Sequence, residues 1–335
     1  MYSEFFGLKE EPFNLTPDPK FLYLSKEHKE ALARLKFGVE MRKGLILLTG
    51  DVGSGKTTVI MSYIKSQPEN QHTAMIVNPR IVGSKLLQHI CREYGIELDY
   101  KEFSKSDILN LLYEYILKKS FYEKNFAVII DDAHELNSEQ LADILLLTKL
   151  ETNTRKLIQV VLVGLTDLIL VLKGSEHTAL YQRIQIQYNL HPFSYADTQS
   201  YIFHRLSVAG YTKKDIFKAD AIQRIYQLSR GIPRTISVIA SNALLYAYLK
   251  GANKIDHQIV DLCTDESIQG EINGVKQEEI SLMDEKFFSQ KEERIQLPKK
   301  SFKWWKWLLV LLILILVFLG LNILAQFIIK MFHLF

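Results

Sequence analysis

Gly50-Asp51-Val52-Gly53-Ser54-Gly55-Lys56-Thr57-Thr58 follows the apolar run Leu45 to Leu48, and its spacing decides the fold. Glycines at 50, 53 and 55 let the backbone turn tightly and aim successive N–H groups at phosphate oxygens, while a helix starting near Lys56 adds the positive end of its dipole. In such a cradle Lys56 reaches the β- and γ-phosphates and the Thr57 hydroxyl holds Mg²⁺. A lone match to this spacing also arises in ligand-free Gly-rich loops. Here a buried-strand pattern precedes it and helical spacing of Val59, Ile60, Tyr63 and Ile64 follows.

A second apolar run, Phe126 to Ile130, reads as a strand buried on both faces and ends in Asp131-Asp132. An acid at the carboxyl end of a central parallel strand stands beside the cradle. Asp131 is therefore the metal-side candidate, and Asp132 is placed to orient or deprotonate an attacking water. Taken alone, two acids after a strand are more often a helix cap or a solvated turn.

The 335 residues suggest two structural units with additions, and the formal charge of +3 gives no support for a nucleic-acid footprint. Cys91 and Cys263 are too few for a disulfide framework, which fits a reducing compartment. Met1 to Pro12 is short, mixed and charged, and does not read as a signal sequence. Leu308 to Ile329 carries no charge. At about 1.5 Å per residue it spans about 33 Å, enough to cross a bilayer, and we expect a transmembrane helix there. Lys299, Lys300, Lys303 and Lys306, interleaved with Trp304, Trp305 and Trp307, precede it, which places the large amino-terminal part in the cytoplasm. Asn322 and Gln326 could bond between helices or simply sit near the far interface.

The Pro- and aromatic-rich lead from Met1 to Tyr23 reads as irregular structure packed over a domain; Ser25 reads as the N-cap of a helix through Glu30, Leu32, Leu35 and Val39. This approach region either covers a base or simply packs. Strands are expected at Thr73–Val77, Phe126–Ile130, Leu157–Val163 and Ile184–Leu190, in alternation with helices at Ser84–Tyr94, Ser106–Lys119 and Ser138–Leu150 and one ending near Gly174. That alternation predicts an α/β domain with a parallel sheet and helices on both faces. From Ser194 onward only helices are expected, at Ser194–Val208, Ala219–Leu228, Pro233–Leu249 and Ile255–Leu262. Acidic, polar composition between Thr264 and Pro298 reads as a tether with a short helix around Met283 to Phe288.

With these elements in place the chain resembles an AAA+ ATPase, and more narrowly the general secretion pathway protein A (ExeA) family. The resemblance rests on Phe6-Gly7-Leu8, Pro12-Phe13, Thr16-Pro17-Asp18-Pro19, Phe21-Leu22-Tyr23, Ser25, His28 and Glu30-Ala31-Leu32. It continues through Leu162-Val163-Gly164, Gln182-Arg183-Ile184, Tyr201-Ile202, His204-Arg205-Leu206, Ala209-Gly210 and Gly231-Ile232-Pro233-Arg234. It implies that Arg183 projects at a neighbouring subunit's nucleotide and that Arg234 is the lid arginine reaching the γ-phosphate, roles suited to a planar, permanently charged guanidinium. Two positions depart from the family: Asp132 stands where Glu is usual, and Leu165-Thr166-Asp167 where Gln-Pro-Glu is usual, leaving Thr166 as the nearest polar substitute for sensor 1. Longer relatives carry a periplasmic peptidoglycan-binding region, which has no counterpart up to Phe335.

The expected organisation is therefore a signature segment and helix packing on the ATPase core (1–43), an AAA+ nucleotide-binding α/β domain (44–192), a helical lid (193–263), an acidic linker (264–300) and a transmembrane anchor (301–335). The expected function is a single-pass bacterial inner-membrane ATPase, large domain in the cytoplasm, using ATP and Mg²⁺ as a homo-oligomer to support an envelope secretion or pilus assembly. A nucleotide-dependent assembly switch with little turnover is an alternative, motivated by Asp132 and Leu165. A DNA-associated ATPase of the transposition-targeting type is another, against which the apolar span and balanced charge argue. His134 beside Asp131 and Asp132 is poor support for a metal hydrolase, because no further histidine stands at ligand spacing.

Overall fold

The described residues of the computed structural model are 2–16, 18–82, 85–98, 103–120, 124–211, 213 and 215–264. The chain divides into two units, Met1–Ile268 and Gln269–Phe335, and every described residue belongs to the first. In chain order the helices and strands are α1 (Tyr2–Phe5), α2 (Lys26–Glu40), β1 (Leu45–Gly50), α3 (Lys56–Ser66), β2 (Gln71–Ile76), α4 (Pro79–Val82), α5 (Leu86–Glu93), α6 (Lys105–Ser120) and β3 (Asn125–Ile130). There follow α7 (Ser138–Leu147), β4 (Ile158–Gly164), α8 (Leu168–Lys173), α9 (Thr178–Tyr181), β5 (Ile184–Leu190), α10 (Tyr195–Val208), α11 (Ala219–Ser229), α12 (Pro233–Leu249) and α13 (His257–Leu262).

The strands form one parallel sheet in the order β2-β3-β4-β1-β5. Every residue of β1 and β4 is buried, as continuous apolar runs in the middle of a parallel sheet require. Alternate side chains serve opposite faces. Leu45, Leu47, Val128, Ile130, Val160 and Leu162 pack with α5, α6 and α7, whereas Ile46, Leu48, Ile129, Val161 and Val163 pack with α2 and α3. Both faces are thus covered, which places the loops at the strands' carboxyl ends where an α/β fold builds its site.

Helices α10 to α13 form a second core around Ile202, Leu206, Ile222, Ile225, Ile236 and Leu244. Within residues 1–43, α2 packs on the sheet, whereas Phe6, Leu8, Phe13 and Phe21 bury themselves among α10 to α13. The reason is chemical as well as apolar: the Arg205 guanidinium donates to the carbonyls of Pro12 and Asn14 and lies over the Phe21 ring, 5.0 Å from its centroid. The Lys9 amide also donates to the Ala209 carbonyl at 2.8 Å. A lead with little regular structure takes its backbone partners from the lid.

Other differences are local. Ser25 caps α2 by accepting from the His28 amide, as its position predicts. The helix expected at Ser84–Tyr94 is seen at Leu86–Glu93, Ser84 lying outside the described residues, and a short α4 opens at Pro79, a residue favoured at a helix start. The last helix starts at His257 rather than Ile255, because Asp256 caps it and Ile255 bridges to Phe217. Among the described residues no helix is long and apolar enough to cross a membrane. The expected span Leu308–Ile329, the helix around Met283 to Phe288 and all but the first residue of the linker lie outside the described residues.

Candidate nucleotide site

The cradle leaves β1 at Gly50 and enters α3 at Lys56. Gly53 and Gly55 have φ of +76° and +99°, a left-handed backbone that L side chains adopt only under strain. The Ser54 amide donates to the Asp51 carbonyl at 3.2 Å, but among the described residues no carbonyl accepts from the amides of Gly53, Gly55, Lys56, Thr57 or Thr58. A loop of unpaired amides leading into a helix N-terminus is an anion site. Lys56 is 8 % exposed, and its ammonium donates to the carbonyls of Gly50 at 3.0 Å and Asp51 at 2.9 Å. Burial lowers its pKa, with Asp131, Asp132 and Asp51 acting in the opposite direction.

At the end of β3, Asp131 is 3 % exposed and accepts from the Thr57 hydroxyl at 2.8 Å on one oxygen and from the Asp132 amide at 3.0 Å on the other. Burial pushes its pKa above the ordinary carboxylate value, opposed first by the Thr57 bond. A buried carboxylate whose charge is disfavoured, bonded to a hydroxyl at the cradle, suits a hard cation. Mg²⁺ asks for one or two protein oxygens and takes the rest from phosphates and water. Among the described residues no group of three or more His, Cys, Asp and Glu forms a larger ligand set.

Asp132 stands with φ 49° and ψ 38°, a left-handed conformation that costs a non-glycine residue on the order of 1–2 kcal/mol. Its side chain is 58 % exposed and caps nothing in the 3₁₀ turn Ala133–Glu135 that follows. Its side chain therefore does not act as a cap; it stands as an exposed carboxylate in a turn, one residue beyond Asp131. His134 Nδ1 lies 4.0 Å from Asp132 Oδ1 and has no hydrogen-bond partner.

Arg234, in the first turn of α12, is exposed, and its amide donates to the Gly53 carbonyl at 3.4 Å. A Cβ on Gly53 would stand 2.8 Å from that of Arg234, so α12 starts in contact with the cradle. Arg183 is elsewhere. It precedes β5, whose Ile184 pairs with Leu45 at the amino end of β1, and it donates to the Thr148 carbonyl at 3.4 Å. Gly50 to Thr58, Asp131, Asp132 and Arg234 thus share one end of the fold, and Arg183 lies at the other.

Asn189 and His28 were not expected at the site. Asn189 Oδ1 accepts from Thr49 at 2.9 Å and from Thr166 at 3.4 Å, so Thr166 is tied to β5. The polar alternation of Ile184–Leu190 carried that signal without saying which strand it would face. His28 is 1 % exposed, with Nε2 3.0 Å from the Ser54 carbonyl oxygen. In the sequence it appears only as one residue of the amino-terminal signature.

Residues 39–172 match a family described as an AAA domain. General secretion pathway protein A of Aeromonas hydrophila is 38 % identical over 278 residues, which make up 83 % of this chain and 50 % of that protein. The chain thus spans about half the length of that curated relative. Among solved structures, Drosophila ORC bound to DNA superposes with a TM-score of 0.57 at 17 % identity, covering 77 % of this chain and 64 % of that one. The Aeropyrum pernix ORC2 protein in ADPNP–ADP complexes gives 0.55 at 16 % identity, over 77 % and 72 % of the two chains. At these identities the likeness is one of fold.

Proposed function

From the premise that this chain is a P-loop AAA+ protein related to general secretion pathway protein A, we propose that it binds Mg-ATP in the Gly50–Thr58 cradle and hydrolyses it to support assembly of an envelope secretion or pilus machine. The observation that carries this is the Thr57–Asp131 hydrogen bond beside the unpaired cradle amides and the Lys56 ammonium. Together they are the phosphate and metal contacts that phosphoryl transfer relies on.

In this mechanism the amides of Gly53 and of Gly55 to Thr58 bind the β-phosphate, and Lys56 turns from the loop carbonyls to the β- and γ-oxygens. Thr57 and Asp131 would hold Mg²⁺, whose chemistry there would be neutralisation of phosphoryl charge. Asp132 orients the water that attacks the γ-phosphorus as the bond to ADP breaks. Arg234 brings lid charge to the γ-phosphate, and Arg183 serves the site of a neighbouring copy in a homo-oligomer. Leu308–Ile329 anchors the protein in a bacterial inner membrane with residues 1–263 on the cytoplasmic side, where 44–192 act as the nucleotide domain and 193–263 as its lid.

The test is steady-state ATP turnover by the full-length chain in detergent. Lys56→Ala and Asp132→Asn should each abolish it; activity surviving both would refute the assignment. A nucleotide switch with little turnover is favoured by one specific observation, the short, exposed, left-handed Asp132. In that case Mg-ATP binds tightly while turnover is negligible in the wild type.

A further inference from the structure

We propose that His28, held by Ser25, is a positioning residue of the phosphate cradle, fixing the Ser54–Gly55 peptide so that the following amides point at the nucleotide. This rests on the cradle's binding Mg-ATP and adds a residue outside the nucleotide motifs.

The imidazole is buried at 1 % exposure, yet both ring nitrogens have partners: Nε2 lies 3.0 Å from the Ser54 carbonyl oxygen and Nδ1 lies 2.7 Å from Ser25 Oγ. A carbonyl only accepts, so Nε2 carries the proton. Nδ1 is then bare and accepts from the Ser25 hydroxyl, whose oxygen in turn accepts from the His28 amide at 3.3 Å. The serine that caps α2 therefore also sets the tautomer that reaches the cradle.

Contact is as tight as the bonding. A Cβ on Gly55 would stand 2.3 Å from His28 Nε2, so the ring fills the space that the left-handed glycine leaves. The other side of the ring packs against Phe193 at 5.3 Å, and the Phe193 amide donates to the Gly231 carbonyl, just before α12 and Arg234. His28 is thus wedged between the cradle and the turn that delivers the lid. An unheld Ser54–Gly55 peptide could rotate, since Gly55 allows many backbone conformations, and every rotation misdirects amides that a phosphate must find aligned.

The experiment measures the affinity of the full-length chain in detergent for a fluorescent ATP analogue with Mg²⁺, alongside turnover and unfolding temperature. His28→Leu and His28→Asn both lose the donor to Ser54, the latter being polar but too short. His28→Gln keeps an N–H at the same reach. We expect the first two to bind roughly tenfold more weakly or worse, with kcat at saturation changed less than about threefold, and His28→Gln to recover most of the affinity. Ser25→Ala should fall between. Wild-type affinity in a folded His28→Asn protein, or a His28→Gln protein as weak as His28→Asn, would overturn the role. If the wild type itself fails to bind, and Lys56→Ala does not differ from it, the ATP assignment fails instead.

Discussion

At the scale of single residues, the site stores unfavourable charge that a ligand relieves. Burial raises the pKa of Asp131, so its ionised form is disfavoured in the fold: stability is fully present below the ordinary carboxylate value and is lost as pH rises from there through the raised value in the fold. Asp131→Asn keeps an acceptor for Thr57 and removes that charge. It should raise the unfolding temperature of the nucleotide-free protein while removing Mg²⁺-dependent binding; a lower unfolding temperature would show the charge to be stabilising. Histidines act with the opposite sign. Burial lowers the pKa of His28, His72 and His204; for His28 the Ser54 carbonyl, Asp197 and Glu27 oppose it. The unfolded chain then binds protons more readily, so this stability is present above about pH 6.5 and is lost as pH falls below it. The unfolding temperature should drop between pH 7.5 and 5.5, and His28→Gln should flatten part of that slope.

At the scale of elements, the lead ahead of α2 is held against α10 to α13. Arg205 satisfies the carbonyls of Pro12 and Asn14 from inside the lid, and its removal leaves two acceptors without their donor. Arg205→Ala should cost about 2 kcal/mol in denaturant unfolding and expose residues 2–23 to limited proteolysis; an unchanged midpoint would contradict the clamp. Elements also differ in how far the chain announces them. The cradle and Asp131 were legible because strand, loop and helix follow one another without a break, and the strand-end acid needs only a parallel sheet to find its place. Where the lead would pack was not legible, since aromatic residues declare burial without naming a partner. His28 escaped for the same reason: its acceptor lies 26 residues away and is a carbonyl, a group every residue carries.

At the scale of the whole molecule, the position of Arg183 carries a consequence. It lies at the amino edge of the sheet, away from the cradle of its own chain, so in the proposed homo-oligomer it completes another copy's site. Arg183→Ala should lower turnover roughly 1000-fold or more, within the range found for an arginine supplied in trans. Mixing Arg183→Ala with Lys56→Ala, each inactive alone, should restore measurable turnover, because one contributes an intact cradle and the other an intact arginine. Activity independent of protein concentration and no rescue on mixing would place Arg183 outside catalysis. The sequence suggests this proposed role only through family resemblance, since nothing in the spacing of Gln182-Arg183-Ile184 separates such an arginine from a solvated one.

The central claim is that Gly50–Thr58 and Asp131 form one Mg-nucleotide site, and the most direct test is calorimetric titration of ATP into the full-length chain with and without Mg²⁺. Mg²⁺ should tighten ATP binding at least about tenfold in the wild type and have no effect in Asp131→Asn, with binding lost in Lys56→Ala. ATP affinity that ignores both Mg²⁺ and these substitutions would contradict the account.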